Sequence, residues 1–298
     1  MNETKTIDYV VPMVFPDDPE WRKVLRKAQG KDYEEMDSDD TVRYRSWDTE
    51  ELLIRCVRKF MPWVRDIIIL LAQESQRQPW MDGYGIRVVY HRDFMPAKHL
   101  PTFNSRAMEM YLHKIPGLSD CFLYGNDDMF PLSPQEETDF FRNGLPCQFY
   151  MAKTFPERPN QFHKACLNGL NFVGADYNLH YVKIWLKNGH GISPILKEVC
   201  TDLWKRHPKE MDASVTPFRQ VRNFNQYIYG WEQHFSGRYF AHIPLRRYIG
   251  VGKVPVEKAV RIIAEPDCGI VCINDNEARK DITAYAEAVR QAIEDKLK

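Results

Sequence analysis

Two short groups of oxygen-bearing side chains stand directly behind apolar runs in this sequence. Asn126, Asp127 and Asp128 follow the run 121–124, and Asn274, Asp275 and Asn276 follow the run 268–273. Adjacent carboxylates repel each other unless a cation or a proton relieves them. Hard oxygen donors of this kind suit Mg2+ or Mn2+, ions that hold substrate phosphates. Each group alone also reads as a solvated turn or a helix cap. Two of them behind strands of one sheet sharpen the reading, because ligands of α/β sheets sit outside the carboxyl ends of strands.

Arg43, Arg45, Arg55, Arg219 and Arg222 are candidate phosphate partners, since guanidinium forks match phosphate oxygens. Most isolated arginines are surface charges, so spacing alone does not select among them. His190 lies in Asn188-Gly189-His190-Gly191, a loop that can display a functional side chain. His91, His113, His163 and His242 have no such context and read as packed or surface imidazoles. No phosphate-binding glycine loop, nucleophile elbow or zinc spacing is found.

The elements that must carry these residues follow from periodicity. Residues 7–14 read as a strand ending in a proline-rich turn. Asp48 and Glu51 are spaced as a capping box, ahead of a helix with the stripe Leu52, Leu53, Cys56, Val57 and Phe60. Residues 66–71 form a continuous apolar run, suited to a strand buried on both faces. Strands at 86–90 and 121–124 flank a helix capped at Asn104 or Ser105 and expected to reach Ile115. Further helices are expected near 134–143, 195–207 and 222–235, then a strand at 268–273 and a helix over 276–298. Strands alternating with helices predict an α/β fold with a mostly parallel sheet, one continuous domain, and a helical insertion at about 131–250.

Composition bounds the rest. The chain has 298 residues, 44% of them hydrophobic, which excludes whole-chain disorder. Its 41 basic and 41 acidic side chains argue against a nucleic-acid binder with a broad basic field. No apolar run approaches the ~20 residues that cross a bilayer, and no signal-peptide core or amphipathic anchor stands out. The chain reads as cytoplasmic, with peripheral attachment at the inner membrane face left open. Seven cysteines at scattered spacings read as reduced, mostly buried thiols.

The residues 100–130, LPTFNSRAMEMYLHKIPGLSDCFLYGNDDMF, resemble the second conserved block of the Stealth family. Arg43-Tyr44-Arg45, Leu53-Ile54-Arg55 and Pro62-Trp63 resemble the same block further upstream. Ile7-Asp8-Tyr9-Val10 and Asp18-Pro19-Glu20-Trp21 resemble the first block, and His190 with Pro194 resembles the third more loosely. Phe218-Arg219, Asn225-Gln226-Tyr227 and the stretch 272–276 resemble the fourth region. There are departures. Phe15 and Pro16 stand where the family has aspartate and glycine, with Asp17 two positions on, and Leu71-Ala72 stands where relatives often have a Thr-Asp pair.

The resemblance implies a GT-A-like fold of Rossmann type and a single catalytic domain over 1–298. It implies transfer of a sugar 1-phosphate from a nucleotide-sugar, of UDP type, to a hydroxyl of a glycan acceptor, with release of UMP, in capsular or cell-surface polysaccharide synthesis. Asp127, Asp128 and Asp275, helped by Asn274 or Asn276, would hold Mg2+ or Mn2+ on the pyrophosphate. Arg55 and Arg219 would neutralise phosphate oxygens, and His190 would accept the acceptor proton. Arg43, Arg45, Asn104, Ser105, His113 and Asn225 make up the expected substrate-binding set, with His113 the second choice of base. A metal-dependent glycosyltransferase that releases UDP and a non-catalytic relative, motivated by Phe15 and Pro16, are the alternatives.

Overall fold

The computed structural model describes residues 6–30, 43–187, 189–275 and 282–298. Its first half alternates strands and helices: β1 (Ile7–Pro12), α1 (Pro19–Gln29), α2 (Glu50–Phe60), β2 (Ile67–Leu71), β3 (Ile86–Tyr90), α3 (His91–Phe94), α4 (Ser105–Glu109) and β4 (Cys121–Tyr124). Short strands follow, β5 (Met129–Pro131), β6 (Phe141–Arg142), β7 (Leu145–Gln148) and β8 (Met151–Thr154), then α5 (Gln161–Ala175), β9 (Ile184–Lys187) and β10 (Ser193–Leu196). The chain ends with α6 (Lys197–Arg206), α7 (Pro208–Ala213), α8 (Tyr227–Phe235), β11 (Phe240–Ala241), β12 (Arg246–Gly250), α9 (Val256–Ala264), β13 (Ile270–Asn274) and α10 (Thr283–Leu297).

The main sheet runs β10-β4-β1-β2-β3. Four strands are parallel, with Tyr9 opposite both Ile67 and Leu123, and β10 closes one edge antiparallel. Helical connections allow this parallel order, and they explain why all five residues of β2 are buried. The α/β class and the parallel-rich sheet are as expected. Asp8 lies inside β1, fully buried, and is satisfied by both arms of Arg65 at 2.8 and 2.7 Å and by the Ser119 amide at 2.8 Å. All seven cysteines are buried, and none forms a disulfide.

Several local expectations need correction. β13 joins a second sheet, β12-β13-β5, so the two oxygen-rich groups do not share one sheet. They still meet, because the Ile273 amide donates to the Asp128 carbonyl at 2.8 Å. Asp48 does not cap α2: Thr49 is the cap residue, and Asp48 sits at φ 54° with its amide bonded to Ser46 Oγ. The helix expected to reach Ile115 stops at Glu109, whose carbonyl accepts instead from Tyr229 Oη at 2.9 Å. Residues 134–143 form a short 3-10 turn and then a β6–β7 hairpin. Asn143 and Gly144 turn that hairpin at φ 55° and 75°, the positive values that an Asn-Gly pair supplies. The segment 132–250 holds α5 to α8 and also seven short strands, β6 to β12, that the apolar pattern was too brief to announce.

Candidate functional site

A cleft of about 1230 Å³ lies across the carboxyl ends of the strands. Pro12, Met13 and Val14 enter it from behind β1, Ala72 from behind β2, His91 from behind β3, and Asn126, Asp127 and Asp128 from behind β4. Asn274 and Asp275 enter from the end of β13. The second sheet therefore delivers its polar end to the same space as the first. This is the position that strand polarity favours for ligands.

Asp128 is the centre of the floor. Its Oδ2 accepts from Asn274 Nδ2 at 3.3 Å and from Cys272 Sγ at 3.4 Å. Its Oδ1 is buried without a partner. A buried carboxylate oxygen left unpaired is costly, and a cation relieves that cost. Asp127 is exposed on the cleft, although the cleft walls crowd its carboxyl. Burial, then the charges of Asp128 and Glu50, push its carboxyl up to about 7. Burial and the Asp128 carboxylate hold the Cys272 thiol protonated, far above its usual range. Ligand atoms of Asp128, His190 and Cys272 lie within 4.8 Å of one another. With the thiol protonated, the donors suited to a hard cation are the oxygens of Asp127, Asp128 and Asn274.

His190 reaches this floor from the loop between β9 and β10. Its Nδ1 lies 3.2 Å from Tyr227 Oη, at the start of α8, and its ring stands edge-on to Tyr248 at 6.0 Å. Opposite the acids is a cationic wall. Arg219 Nη2 donates to Ser105 Oγ at 2.9 Å, and its charge is felt by Asp127 across the cleft. Asn104 caps α4 through the Arg106 amide at 3.2 Å and ties the wall together by bonds to Thr216 and Asn223. Asn225 lines the cleft and holds the turn into α8, accepting from the Tyr227 amide at 3.2 Å.

Arg106 is the residue the sequence reading missed. It lines the cleft, buried, with Nη1 bonded to the Gln220 carbonyl at 3.2 Å. Burial, then the neighbouring Arg219, lower its affinity for its proton. Among the described residues, no carboxylate forms an ion pair with either guanidinium. The closest acidic group in charge terms, Glu109, is engaged by the Gln226 amide at 2.7 Å and by Tyr124 Oη at 3.2 Å. Only the stepwise pattern of α4 was available in the sequence, and it placed Arg106 outside the apolar stripe of Ala107, Met108 and Tyr111.

Other expected site residues are placed differently. Arg45 and Asp275 pair with each other, through bonds of 2.8 and 2.9 Å, and Trp47 Nε1 adds a third at 3.0 Å. Both carboxylate oxygens of Asp275 are thus on a guanidinium, which makes the pair a brace for the cleft wall rather than a metal ligand and a phosphate partner. Arg43 stands exposed at the cleft edge. Arg55 points elsewhere on α2, beside Tyr84, and does not line the cleft. His113 is buried against Trp204, outside the cleft, and burial pushes it down to about 4. Asp17 cannot stand in for the family's first-block aspartate: it pairs with Arg22 at the surface, while Phe15 is held by Gln76 through two backbone bonds. Asn276 lies outside the described residues.

Residues 43–148 match the family model described as Stealth protein CR2, conserved region 2. Receptor polysaccharide phosphotransferase WefC of Streptococcus oralis is 27% identical over 97% of this chain and 98% of its own. Capsular polysaccharide phosphotransferase WcwK of Streptococcus pneumoniae is 26% identical, again over 97% and 98%. Capsular polysaccharide phosphotransferase LcbA of Aeromonas hydrophila is 36% identical over 49% of this chain and 41% of its own. Among solved structures, a glycosyltransferase involved in glycosylating the major capsid of PBCV-1 aligns over 96% of this chain and 99% of its own, at 12% identity and a TM-score of 0.37. That score is below the level at which a shared fold follows.

Proposed function

The chain belongs to the Stealth family, whose conserved region 2 it carries, and from that premise we propose that it transfers a sugar 1-phosphate from a nucleotide-sugar to a glycan hydroxyl. The setting is capsular or cell-surface polysaccharide synthesis, as the names of its full-length relatives suggest. The donor is of UDP type. The acceptor oxygen attacks the phosphorus nearest the sugar, the bond from that phosphorus to the bridging oxygen breaks, and UMP leaves. The observation that carries this reading is the opposition, across one cleft, of an acidic floor with an orphaned Asp128 oxygen and a guanidinium wall without a carboxylate partner among the described residues. A pyrophosphate group needs both.

Asp127, Asp128 and Asn274 would hold a divalent cation, which when bound supplies positive charge to the donor phosphates. Arg106 and Arg219 neutralise phosphate oxygens from the other wall. Phosphoryl transfer depends mostly on such positioning and charge stabilisation. His190 takes the acceptor proton. With Nδ1–H given to Tyr227 Oη, Nε2 keeps its lone pair for that proton.

Incubation with UDP-sugars, Mg2+ and acceptor glycans, followed by nucleotide chromatography, tests the reading. Release of UMP in step with glycan product supports it. Release of UDP instead makes the protein a glycosyltransferase and overturns it.

A further inference from the structure

The whole-chain balance of 41 basic and 41 acidic residues is not even in space. Residues 149–187 hold five basic side chains, Lys153, Arg158, Lys164, Lys183 and Lys187, against Glu157 and Asp176. Asp176 is already paired with Arg206. None of the five forms an ion pair with a described residue. Residues 242–256 add Arg246, Arg247 and Lys253 and no acid, with Arg247 paired to Glu265.

The same two stretches hold most of the exposed large apolar side chains of the described residues. Met151 and Ile184 are each 54% exposed and Val182 is 60% exposed. Met151 and Ile184 belong to the two-stranded ribbon of β8 and β9, and Val182 lies two residues before β9. Met151 shares one face of the ribbon with Lys153 and with Lys187 opposite it, whereas Ile184, opposite Thr154, stands on the other face. Every residue of β8 is exposed, and among the described residues that strand pairs only with β9. Phe149, just before β8, shares a small hollow with Ile243, and both are exposed. Tyr248, on β12, is exposed at the cleft edge where Lys187 also stands. The two stretches therefore meet in one surface beside the His190 end of the cleft.

Isolated apolar side chains on a surface need no explanation, but Phe149, Met151 and Ile243 beside Lys153 and Lys187, neither of which forms an ion pair with a described residue, do. Apolar side chains that enter the headgroup boundary, together with cations that meet anionic headgroups, are the two components of peripheral membrane attachment. We propose that this ribbon and the adjoining rim dock the protein on an anionic phospholipid surface, with the cleft mouth at the membrane. The proposal does not depend on which group the cleft transfers.

The test is sedimentation of the full chain with phosphatidylcholine vesicles and with vesicles carrying 30% phosphatidylglycerol, a composition chosen as roughly that of an anionic bilayer surface. The protein is expected to bind the anionic vesicles at least about ten-fold more tightly, less so at high salt. Lys153→Glu/Lys187→Glu and Phe149→Ser/Met151→Ser are each expected to lower that binding by about ten-fold. The native cysteines are buried, so Met151→Cys can carry an environment-sensitive dye, whose emission should shift to the blue on the anionic vesicles. Equal binding to both vesicle types, binding unchanged in both variants, or an unshifted dye would overturn the proposal. So would binding of a soluble acidic polysaccharide without vesicle binding, which would make the surface a glycan site.

Discussion

The guanidinium of Arg246 lies flat against the loop that carries His190. Its Nη1 donates to the Gly189 carbonyl at 3.2 Å, and a Cβ at Gly189 would stand 2.8 Å from its Cζ. A Cβ at Gly191 would stand 3.2 Å from its Cδ. The two glycines are thus explained by close approach rather than by backbone freedom. Gly189→Ala should displace the guanidinium and the loop with it. About a ten-fold fall in kcat is expected, from misplacement of the base, with less than about 1 kcal/mol lost in urea unfolding. Steady-state kinetics and unfolding of the same variant measure both. A large stability loss with kcat in proportion to folded protein would count against the positioning role.

Asp127 predicts an inverted pH response. Its carboxyl, ordinarily near 3.8, is pushed up to about 7 in the fold. Between these values the folded state holds a proton that the unfolded state has released. Metal-free protein should therefore lose stability as pH rises from about 4 through 7. Differential scanning calorimetry should show the melting temperature fall over this window, apart from the response of other groups. Asp127→Asn should flatten the fall, raise the melting temperature at pH 8, and remove most of any stabilisation by added Mg2+. A variant that still responds fully to Mg2+ would place the cation elsewhere.

Asp8 predicts the opposite slope in acid. Burial would raise its pKa, but the Arg65 and Ser119 bonds outweigh burial and hold it below the usual carboxylate range. Its contribution is present above the unfolded value near 3.8 and is lost as pH falls through the lower folded value. Asp8→Ala leaves Arg65 and the Ser119 amide without their partner, at a cost of about 3 kcal/mol. Urea unfolding at pH 7 reads the loss, and acid unfolding of the variant should have a shallower midpoint dependence below pH 4.

Arg106 should matter more to turnover than to folding. Arg106→Met keeps the bulk of the side chain and removes the second cation of the wall. A fall of about 100-fold in kcat/KM for the donor is expected, by analogy with loss of one charge-stabilising donor. Inorganic pyrophosphate should inhibit the parent competitively and the variant far more weakly. Equal inhibition of both would remove Arg106 from the phosphate site.

The strands were legible where burial is complete. Ile67–Leu71 carries no polar residue, and a run buried on both faces has few other forms to take. Asn126 to Asp128 could be read as a site because strand polarity dictates where the end of β4 opens. What eluded the sequence was tertiary. Arg55 shares a helix with Leu53 and Cys56, and periodicity says which face is apolar but not which polar flank meets a cleft. Arg106 sits in a helix of five residues, too short for a face to be defined. The Arg45–Asp275 pair joins residues 230 positions apart, and its bond removes both from the roles their types suggested. The Asn188-Gly189-His190-Gly191 context and then the resemblance to conserved blocks marked His190 for a role, and the structure sets it beside Asp128.

The most direct measurement follows the phosphorus nearest the sugar. A UDP-sugar labelled with 32P at that position is incubated with acceptor glycan and Mg2+, and the product glycan is separated and counted. The account predicts label in the glycan, as a phosphodiester, in a one-to-one ratio with the UMP released. Label that stays with the nucleotide, as UDP, while sugar appears on the glycan would contradict it.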